Sequence, residues 1–158
     1  MGKVYHFDQE YKKGLKGERI LDEWFKKRGY PVEEVNREKQ RRGIDRLIFV
    51  EDQGRYISVE YKTDFMAKDT GNFFMEEVSV DTQNKEGWLT KSEAEYLIFF
   101  VYPLYFYLLQ FDLLNIKIPI WDKKYDFRRV SIPNDGYNTL GFLLYEFLIA
   151  SISKKFKI

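Results

Sequence analysis

The sequence of 158 residues contains no cysteine and a single histidine, His6. The absence of cysteine excludes disulfide bonds and thiolate metal sites. One histidine is too few for a zinc site built on imidazole ligands. A metal ion bound by side chains must therefore rely on carboxylate oxygens, which suit Mg²⁺, Mn²⁺ or Ca²⁺.

Long apolar runs are also scarce. The most hydrophobic stretch, residues 96–114, is interrupted by Pro103, Gln110 and Asp112, whereas a membrane helix needs about 20 predominantly apolar residues. The N-terminus is polar and does not resemble a signal peptide. The sequence therefore predicts a protein that does not associate with a membrane and has a cytoplasmic location.

An excess of charge of one sign is missing as well, because 26 Lys and Arg residues balance 25 Asp and Glu residues. A chain of this composition that binds nucleic acid needs a local basic patch. Aromatic residues, in contrast, reach 18% and concentrate in the second half. They form a core or, since aromatics are enriched in interface cores, a subunit interface. We predict one domain over residues 1–158, whose aromatic-rich part, residues 96–158, contributes to a homo-oligomer (dimer or tetramer).

The order of the predicted elements indicates an α/β (α+β) fold, in which helices flank a central mixed β-sheet. Helices are expected at residues 10–28, ending at Gly29, and at 92–95 and 139–153, the last one buried or at an interface. Strands are expected at residues 30–35, 44–50, 56–61, 72–80, 97–102 and 104–111. Residues 36–43 are predicted to form a basic loop, and residues 112–133 carry no clear pattern.

Two of these strands are joined by a tight turn and form a hairpin. Pairing Glu51 with Gly54 across the turn brings Asp45 opposite Glu60. Asp45, Glu60 and Lys62 then project from the same face. Opposed residues lie about 4.5–5.5 Å apart at Cβ, where two carboxylates repel each other. A divalent cation between them would remove this repulsion, and a salt-bridge cluster on a solvated face is the alternative.

Glu18 lies on the apolar stripe of the first predicted helix, between Leu15 and Leu21. Burial of a carboxylate without a partner is costly. The position of Glu18 therefore favours a site that it shares with the acidic hairpin.

Three segments in this order resemble the PD-(D/E)XK nuclease superfamily: Glu18 in a helix, Gly43-Ile-Asp45 opening a strand, and Val59-Glu-Tyr-Lys62 in the next strand. The resemblance covers about residues 14–80. Isoleucine stands at position 44, where the family name has proline. Holliday-junction resolvases and the cyanobacterial intron-encoded homing endonuclease of this superfamily are similar in length and layout.

The resemblance implies a restriction-endonuclease-like core and an Mg²⁺-dependent endodeoxyribonuclease, with Mn²⁺ as a substitute. It implies that Asp45, Glu60 and the backbone carbonyl of Tyr61 bind the metal, and that Glu18 completes the shell directly or through water. Lys62 would orient the attacking water or stabilise the charge that develops on the phosphorane. One or two ions are compatible with the resemblance.

The implied substrate is double-stranded or branched DNA, for which basic side chains would bind phosphates near the metal. The candidates are Arg37, Lys39, Arg41, Arg42 and Lys68, with Lys91 weaker. Gly43 would allow the backbone to approach the substrate closely, and Gln83 and Asn84 are candidates for contacts with base edges. A loop that simply faces water is the alternative.

Three roles remain open within this family: homing endonuclease, junction resolvase and restriction-type nuclease. The near-neutral net charge disfavours the resolvase, which would present a strongly basic surface. A protein of another class, a catalytically silent DNA-binding or structural protein that retains the fold, is the alternative.

Overall fold

A computed structural model describes the backbone of residues 7–158 and the side chains from residue 9 onward. His6 and the polar N-terminus lie outside this range. The helices are α1 (Phe7–Lys27), α2 (Arg37–Arg41), α3 (Ala67–Thr70), α4 (Trp88–Lys91), α5 (Phe111–Tyr125) and α6 (Glu146–Ser151). The strands are β1 (Val32–Glu34), β2 (Arg46–Val50), β3 (Arg55–Asp64), β4 (Asn72–Val80), β5 (Lys85–Glu86), β6 (Tyr96–Val101), β7 (Tyr105–Gln110), β8 (Arg129–Pro133), β9 (Asn138–Tyr145) and β10 (Lys154–Lys157).

The strands form two sheets. The central sheet has six strands in the order β1-β2-β3-β6-β7-β10, and it is mixed because β3 and β6 are parallel while the other neighbours are antiparallel. This confirms the predicted α+β class with a central mixed sheet and flanking helices. The second sheet has four antiparallel strands in the order β5-β4-β9-β8, and the sequence pattern did not separate it from the first.

The central sheet is covered on both faces. Leu21, Trp24 and Phe25 of α1 pack against one face, while the second sheet packs against the other, where Phe73 stacks on Phe99 with ring centroids 4.2 Å apart. Successive side chains of a strand point to opposite faces. The odd-numbered side chains in the middle of β3 therefore point towards α1, and the even-numbered ones point towards the second sheet.

Helix α1 follows the predicted helix closely and is continuous through both of its glycines. A Cβ atom at Gly17 would overlap the side chain of Thr63, so glycine at this position lets α1 approach β3. The helix ends as predicted at Gly29, which has φ +82°. The Tyr30 N–H donates to the carbonyl of Phe25 at 3.0 Å, a helix-terminating pattern.

The helix predicted for residues 139–153 is wrong. These residues form β9, the single-turn helix α6 and the approach to β10, whose lysines pair with β7 instead of following a helix. Strand β9 lies between β4 and β8 and is apolar on both faces. Its pattern therefore did not distinguish a buried strand from a buried helix.

Two shorter segments also differ from the prediction. The basic segment expected to be a loop contains α2, because the side chain of Asn36 caps that helix by accepting from Lys39 N–H at 3.0 Å. The helix predicted for residues 92–95 is wrong, since α4 lies just before it and Ser92 is extended. The Ser92 hydroxyl instead donates to the carbonyl of Gly43 at 2.9 Å. The unassigned residues 112–133 include most of α5 and all of β8.

No helix in residues 7–158 combines the length and the apolar character that crossing a membrane requires.

Candidate active site

The β2–β3 hairpin has the register that the sequence predicts. Phe49 pairs with Tyr56, and Arg46 pairs with Val59. One position further on, the Asp45 N–H donates to the carbonyl of Val59 at 2.9 Å. Pairing with β2 ends there, while β3 continues along β6 to Asp64. Asp45 therefore lies where one edge of β3 loses its neighbouring strand.

The carboxylate of Asp45 is held at this edge by the backbone. The Tyr61 N–H donates to Asp45 Oδ2 at 2.8 Å. The Tyr61 side chain points the other way, into the core beneath α1, and its hydroxyl donates to Asp22 Oδ1 at 3.0 Å. The pKa of that hydroxyl is raised by burial and then by the charge of Asp22.

Glu60 is the most deeply buried of the predicted acidic residues, with 4% of its surface exposed. Its Oε1 pairs with Lys62 Nζ at 3.0 Å. Its Oε2 is buried and has no hydrogen-bond partner in the described structure. The nearby Ser92 hydroxyl donates to Gly43 instead. Burial raises the pKa of Glu60 above its ordinary value of 4.5, although the charge of Lys62 acts in the opposite direction.

Lys62 lies among several acidic groups. Burial lowers its pKa, but the attraction of Glu60, Asp45 and Glu76 outweighs this effect and leaves the pKa raised. The Nζ atom also lies 5.5 Å from the centroid of the Trp88 ring, at a distance where a cation is attracted to the ring face. The surrounding carboxylates and the Trp88 ring therefore favour the ammonium form of Lys62.

Glu18 is half-buried on the inward side of α1, as predicted. Its Oε2 lies 3.2 Å from Arg46 Nη2. Burial, followed by the charge of Asp45, raises the pKa of Glu18. A shared site follows from the burial of Glu18 only if this carboxylate has no partner in the chain. Arg46 is such a partner, so the position of Glu18 alone does not require a metal.

A cavity of about 400 Å³ brings most of the predicted site residues together. It lies at the free edge of β3, where Glu18, Asp45 and Lys62 all line it. A larger cavity of about 610 Å³ lies elsewhere, on the α1 side of the central sheet, and is lined mainly by apolar side chains such as Ile57 and Ile98. The predicted charged residues are thus concentrated at the smaller cavity.

Glu76 is a cavity residue that the sequence reasoning missed. It lines the same cavity from β4, and its Oε1 accepts from the Trp88 N–H at 3.3 Å. The sequence predicts only the strand that carries Glu76, at residues 72–80. Glu76 and Glu77 are adjacent in the sequence, which does not indicate which of the two side chains faces the cavity.

Arg46 was also missed, although a signal was present. Strand alternation places Arg46 on the same face as Ile48, which is buried against α1. A cation on a core-facing position requires acidic partners, and Glu18 and Asp22 lie four residues apart on the opposing helix.

The fit of a divalent cation can be judged from the donors. Carboxylates are the oxygen ligands that Mg²⁺ and Mn²⁺ use, and Glu60 Oε2 is a buried acceptor without a partner. Asp45 raises the pKa of both Glu18 and Glu60, so the negative charges repel one another. Among the described residues, however, no three acidic or histidine side chains lie close enough together to hold a metal ion. These residues have the chemical type and the charge that such an ion requires. In the structure Lys62 pairs with Glu60, and Arg46 pairs with Glu18.

The basic residues predicted to bind DNA differ in their exposure and in their ion pairing. Arg37 and Arg41 are exposed on α2, Lys39 is half-buried beside them, and Lys68 is exposed on α3. Arg42 is different, because its Nε lies 2.7 Å from Glu93 Oε2.

The fold itself requires glycine at position 43. Its φ is +78°, and a Cβ atom there would lie 2.6 Å from Ser92 Cα. The close backbone approach expected of Gly43 is thus an approach to Ser92. Asn84, a weaker DNA-binding candidate, occupies the left-handed position after the turn that follows β4.

Comparison with protein-family models, with curated proteins and with solved structures gave no match.

Proposed function

We propose that the protein is a metal-dependent DNA endonuclease that hydrolyses phosphodiester bonds in double-stranded or branched DNA. One observation carries the proposal: a buried carboxylate, Glu60, has one oxygen on Lys62 and one without a partner, and both Lys62 and Asp45, whose charge raises the pKa of Glu60, line a charged cavity. The order of these residues along the chain, which resembles the PD-(D/E)XK pattern, supports the same assignment.

In this proposal Asp45, Glu60 and Glu18, with the carbonyl of Tyr61, hold Mg²⁺ or Mn²⁺. Such an ion lowers the pKa of a bound water and polarises the scissile phosphate. Lys62 places a permanent positive charge where negative charge develops on the phosphoryl oxygens.

Cations outside the cavity would bind the flanking phosphates. Arg37 and Arg41 suit this role best because they are exposed, and Lys39 and Lys68 are further candidates. Arg42 is a weaker one because its guanidinium is paired with Glu93.

The test is cleavage of supercoiled plasmid, a four-way junction and single-stranded DNA in the presence of Mg²⁺ or Mn²⁺. We expect Asp45→Asn and Lys62→Met to reduce the rate by at least about 10²-fold, the usual cost of losing one charge-stabilising group. Arg129→Gln, which breaks an exposed ion pair with Asp122, is the matched control. Wild-type cleavage that survives unchanged in both site variants would exclude this site.

The cleavage panel also separates the roles within the family. Preference for the junction indicates a resolvase, whereas cleavage at rare plasmid sites indicates a homing or restriction-type enzyme.

A catalytically silent DNA-binding or structural protein is the second candidate. One observation favours it: Glu18 and one oxygen each of Asp45 and Glu60 already have partners within the chain. This candidate predicts that the wild-type protein neither binds divalent cations nor cleaves any DNA of the panel.

We also propose that the protein forms a homo-oligomer. Ile116 and Ile120, 63% and 58% exposed, lie four residues apart on α5, within the aromatic-rich part of the chain. Light scattering after size-exclusion chromatography tests this, with Ile116→Asp expected to shift the protein to a monomer.

A further inference from the structure

Arg46 connects Asp45, at the start of β2, to Glu18 and Asp22 of helix α1. Its side chain is only 9% exposed. On one side, Nε and Nη2 lie 3.1–3.2 Å from the carboxylate of Asp22. On the other, Nη2 lies 3.2 Å from Glu18 Oε2, and Nη1 donates to the backbone carbonyl of Asp45 at 2.8 Å.

These contacts exceed what is needed to attach the helix to the sheet. The contacts with Asp22 alone would tie α1 to β2, and the Tyr61 hydroxyl adds a further bond to Asp22. The remaining donors of the guanidinium reach Glu18 and Asp45, the two candidate metal ligands that come from different elements. A planar guanidinium with five N–H donors holds such partners in a fixed relative position.

We infer that Arg46 is a positioning residue, which acts through Glu18 to fix its carboxylate relative to Asp45 and thereby sets the affinity for the divalent cation. This inference rests on the proposed function. Hydrogen-bond partners of metal ligands commonly change metal affinity by about 10–100-fold when they are removed. Arg46 has a place of this kind, since it contacts one ligand by its side chain and the other by its backbone.

The opposite role is physically reasonable and makes the inference testable. A guanidinium beside two carboxylates is also a counter-charge that competes with an incoming cation. If competition dominates, removal of the Arg46 guanidinium should strengthen metal binding. If positioning dominates, its removal should weaken metal binding.

The experiment measures Mn²⁺ and Ca²⁺ binding by isothermal titration calorimetry, without DNA and independently of cleavage. Arg46→Lys keeps one positive charge but cannot span Asp22, Glu18 and the Asp45 carbonyl together. We expect affinity about 10–100-fold weaker than that of the wild type. The matched control, Arg129→Lys, affects an exposed pair outside the cavity and is expected to leave the affinity within about twofold, as is usual for a distant site.

A double-mutant cycle tests the route through Glu18. Glu18→Gln alone should weaken binding, and Arg46→Lys in that background should add little, because the group it positions has been removed. Fully additive losses would overturn the inference. Unchanged or tighter binding in Arg46→Lys would overturn it as well.

Asp22→Asn is measured in parallel, because it loosens the guanidinium while leaving Arg46 and Glu18 in place. We expect binding weaker than wild type but stronger than in Arg46→Lys. If Arg46→Lys does not fold, as judged by circular dichroism, Asp22→Asn decides: weaker binding supports the inference and unchanged binding overturns it. A wild-type protein that binds neither ion overturns the proposed function and this inference together, whereas wild-type binding without an effect of the variants overturns the inference alone.

Discussion

Two charged clusters lie on opposite faces of the central sheet, and they differ in how completely their polar atoms are used. On the α1 face, Arg46 contacts Glu18, Asp22 and a backbone carbonyl. On the other face, Lys62 holds one oxygen of Glu60, and the second oxygen has no partner in the described structure. Each cluster contributes one side chain to the lining of the same cavity, Glu18 from the first and Lys62 from the second.

The difference separates two uses of buried charge. A buried ion pair whose hydrogen-bonding groups are satisfied fixes geometry, and its loss leaves uncompensated charge in the protein. A buried acceptor without a partner carries a desolvation cost that the fold does not offset. Such a group is a candidate for binding something from outside. We therefore propose that Arg46 supports the site by fixing Glu18, and that the Glu60 cluster takes part directly in the chemistry.

The largest expected effect on stability is at Arg46. Arg46→Met leaves Glu18 and Asp22 without their shared cation, which should lower the free energy of unfolding by about 3–5 kcal/mol. Urea denaturation measures this. Arg129→Met, which removes an exposed pair, should cost no more than about 1 kcal/mol. Equal losses in the two variants would contradict the supporting role of the Arg46 cluster.

The next effect concerns the helix that carries Glu18. Gly17→Ala places a methyl group against Thr63 and should destabilise the protein by about 1–3 kcal/mol, as overpacking does. Gly14→Ala is the matched control, because a Cβ atom there meets no atom within 4 Å. It should stabilise by about 0.5–1 kcal/mol through helix propensity. Thermal unfolding of both variants tests the contact, as does partial recovery of Gly17→Ala by Thr63→Ala, which removes the overlapping Oγ1 and Cγ2 atoms of residue 63 but keeps its Cβ.

Glu60→Gln should alter the pH dependence of the free energy of unfolding. The folded-state pKa of Glu60 is raised by burial, so its proton is bound more tightly in the folded state than in the unfolded state. The associated stability is present below the unfolded pKa and is lost as the pH rises through the raised folded pKa. Relative to wild type, Glu60→Gln should therefore gain stability as the pH increases from about 4, close to the unfolded pKa, towards neutrality. If the free energies of unfolding of the two proteins change in parallel across this range, burial does not raise the pKa of Glu60.

The smallest effect extends the same distinction to the basic residues. Arg41 is exposed, whereas Arg42 is paired with Glu93. If α2 contacts DNA, Arg41→Gln should make the dependence of affinity on salt shallower, reducing the magnitude of the slope of log affinity against log salt concentration by about 0.9. Arg42→Gln should lower it less. Fluorescence anisotropy of a labelled duplex at several salt concentrations measures both slopes.

Much of the site geometry was predictable because it depends on local rules. Gly54 closes the hairpin in the left-handed conformation, and this turn sets the register that brings Asp45 beside Glu60. Strand alternation then assigns the faces. The helix of Glu18 was predictable from its apolar spacing and from Gly29 at its end.

The rest depended on contacts distant in sequence. Strand β9 carries apolar residues on both faces and lies between β4 and β8, and its own residues carry no trace of those neighbours. The partner of Glu18 likewise depends on which strands and helices meet, whereas the partner of Glu60, Lys62, lies two residues further along the same strand. Glu18 has a partner that its own helix does not reveal, because Arg46 approaches it from a strand that begins 28 residues later.

The alternation along β3 also restricts how the length of this hairpin can change during evolution. One residue inserted between Gly54 and Glu60 would exchange the two faces for the rest of the strand. The carboxylate and ammonium would then enter the apolar layer beneath α1, and Tyr61 would face the cavity. Two inserted residues would restore the faces. Homologous chains that retain the site should therefore differ in this hairpin arm by even numbers of residues, or carry a bulge that absorbs an odd one.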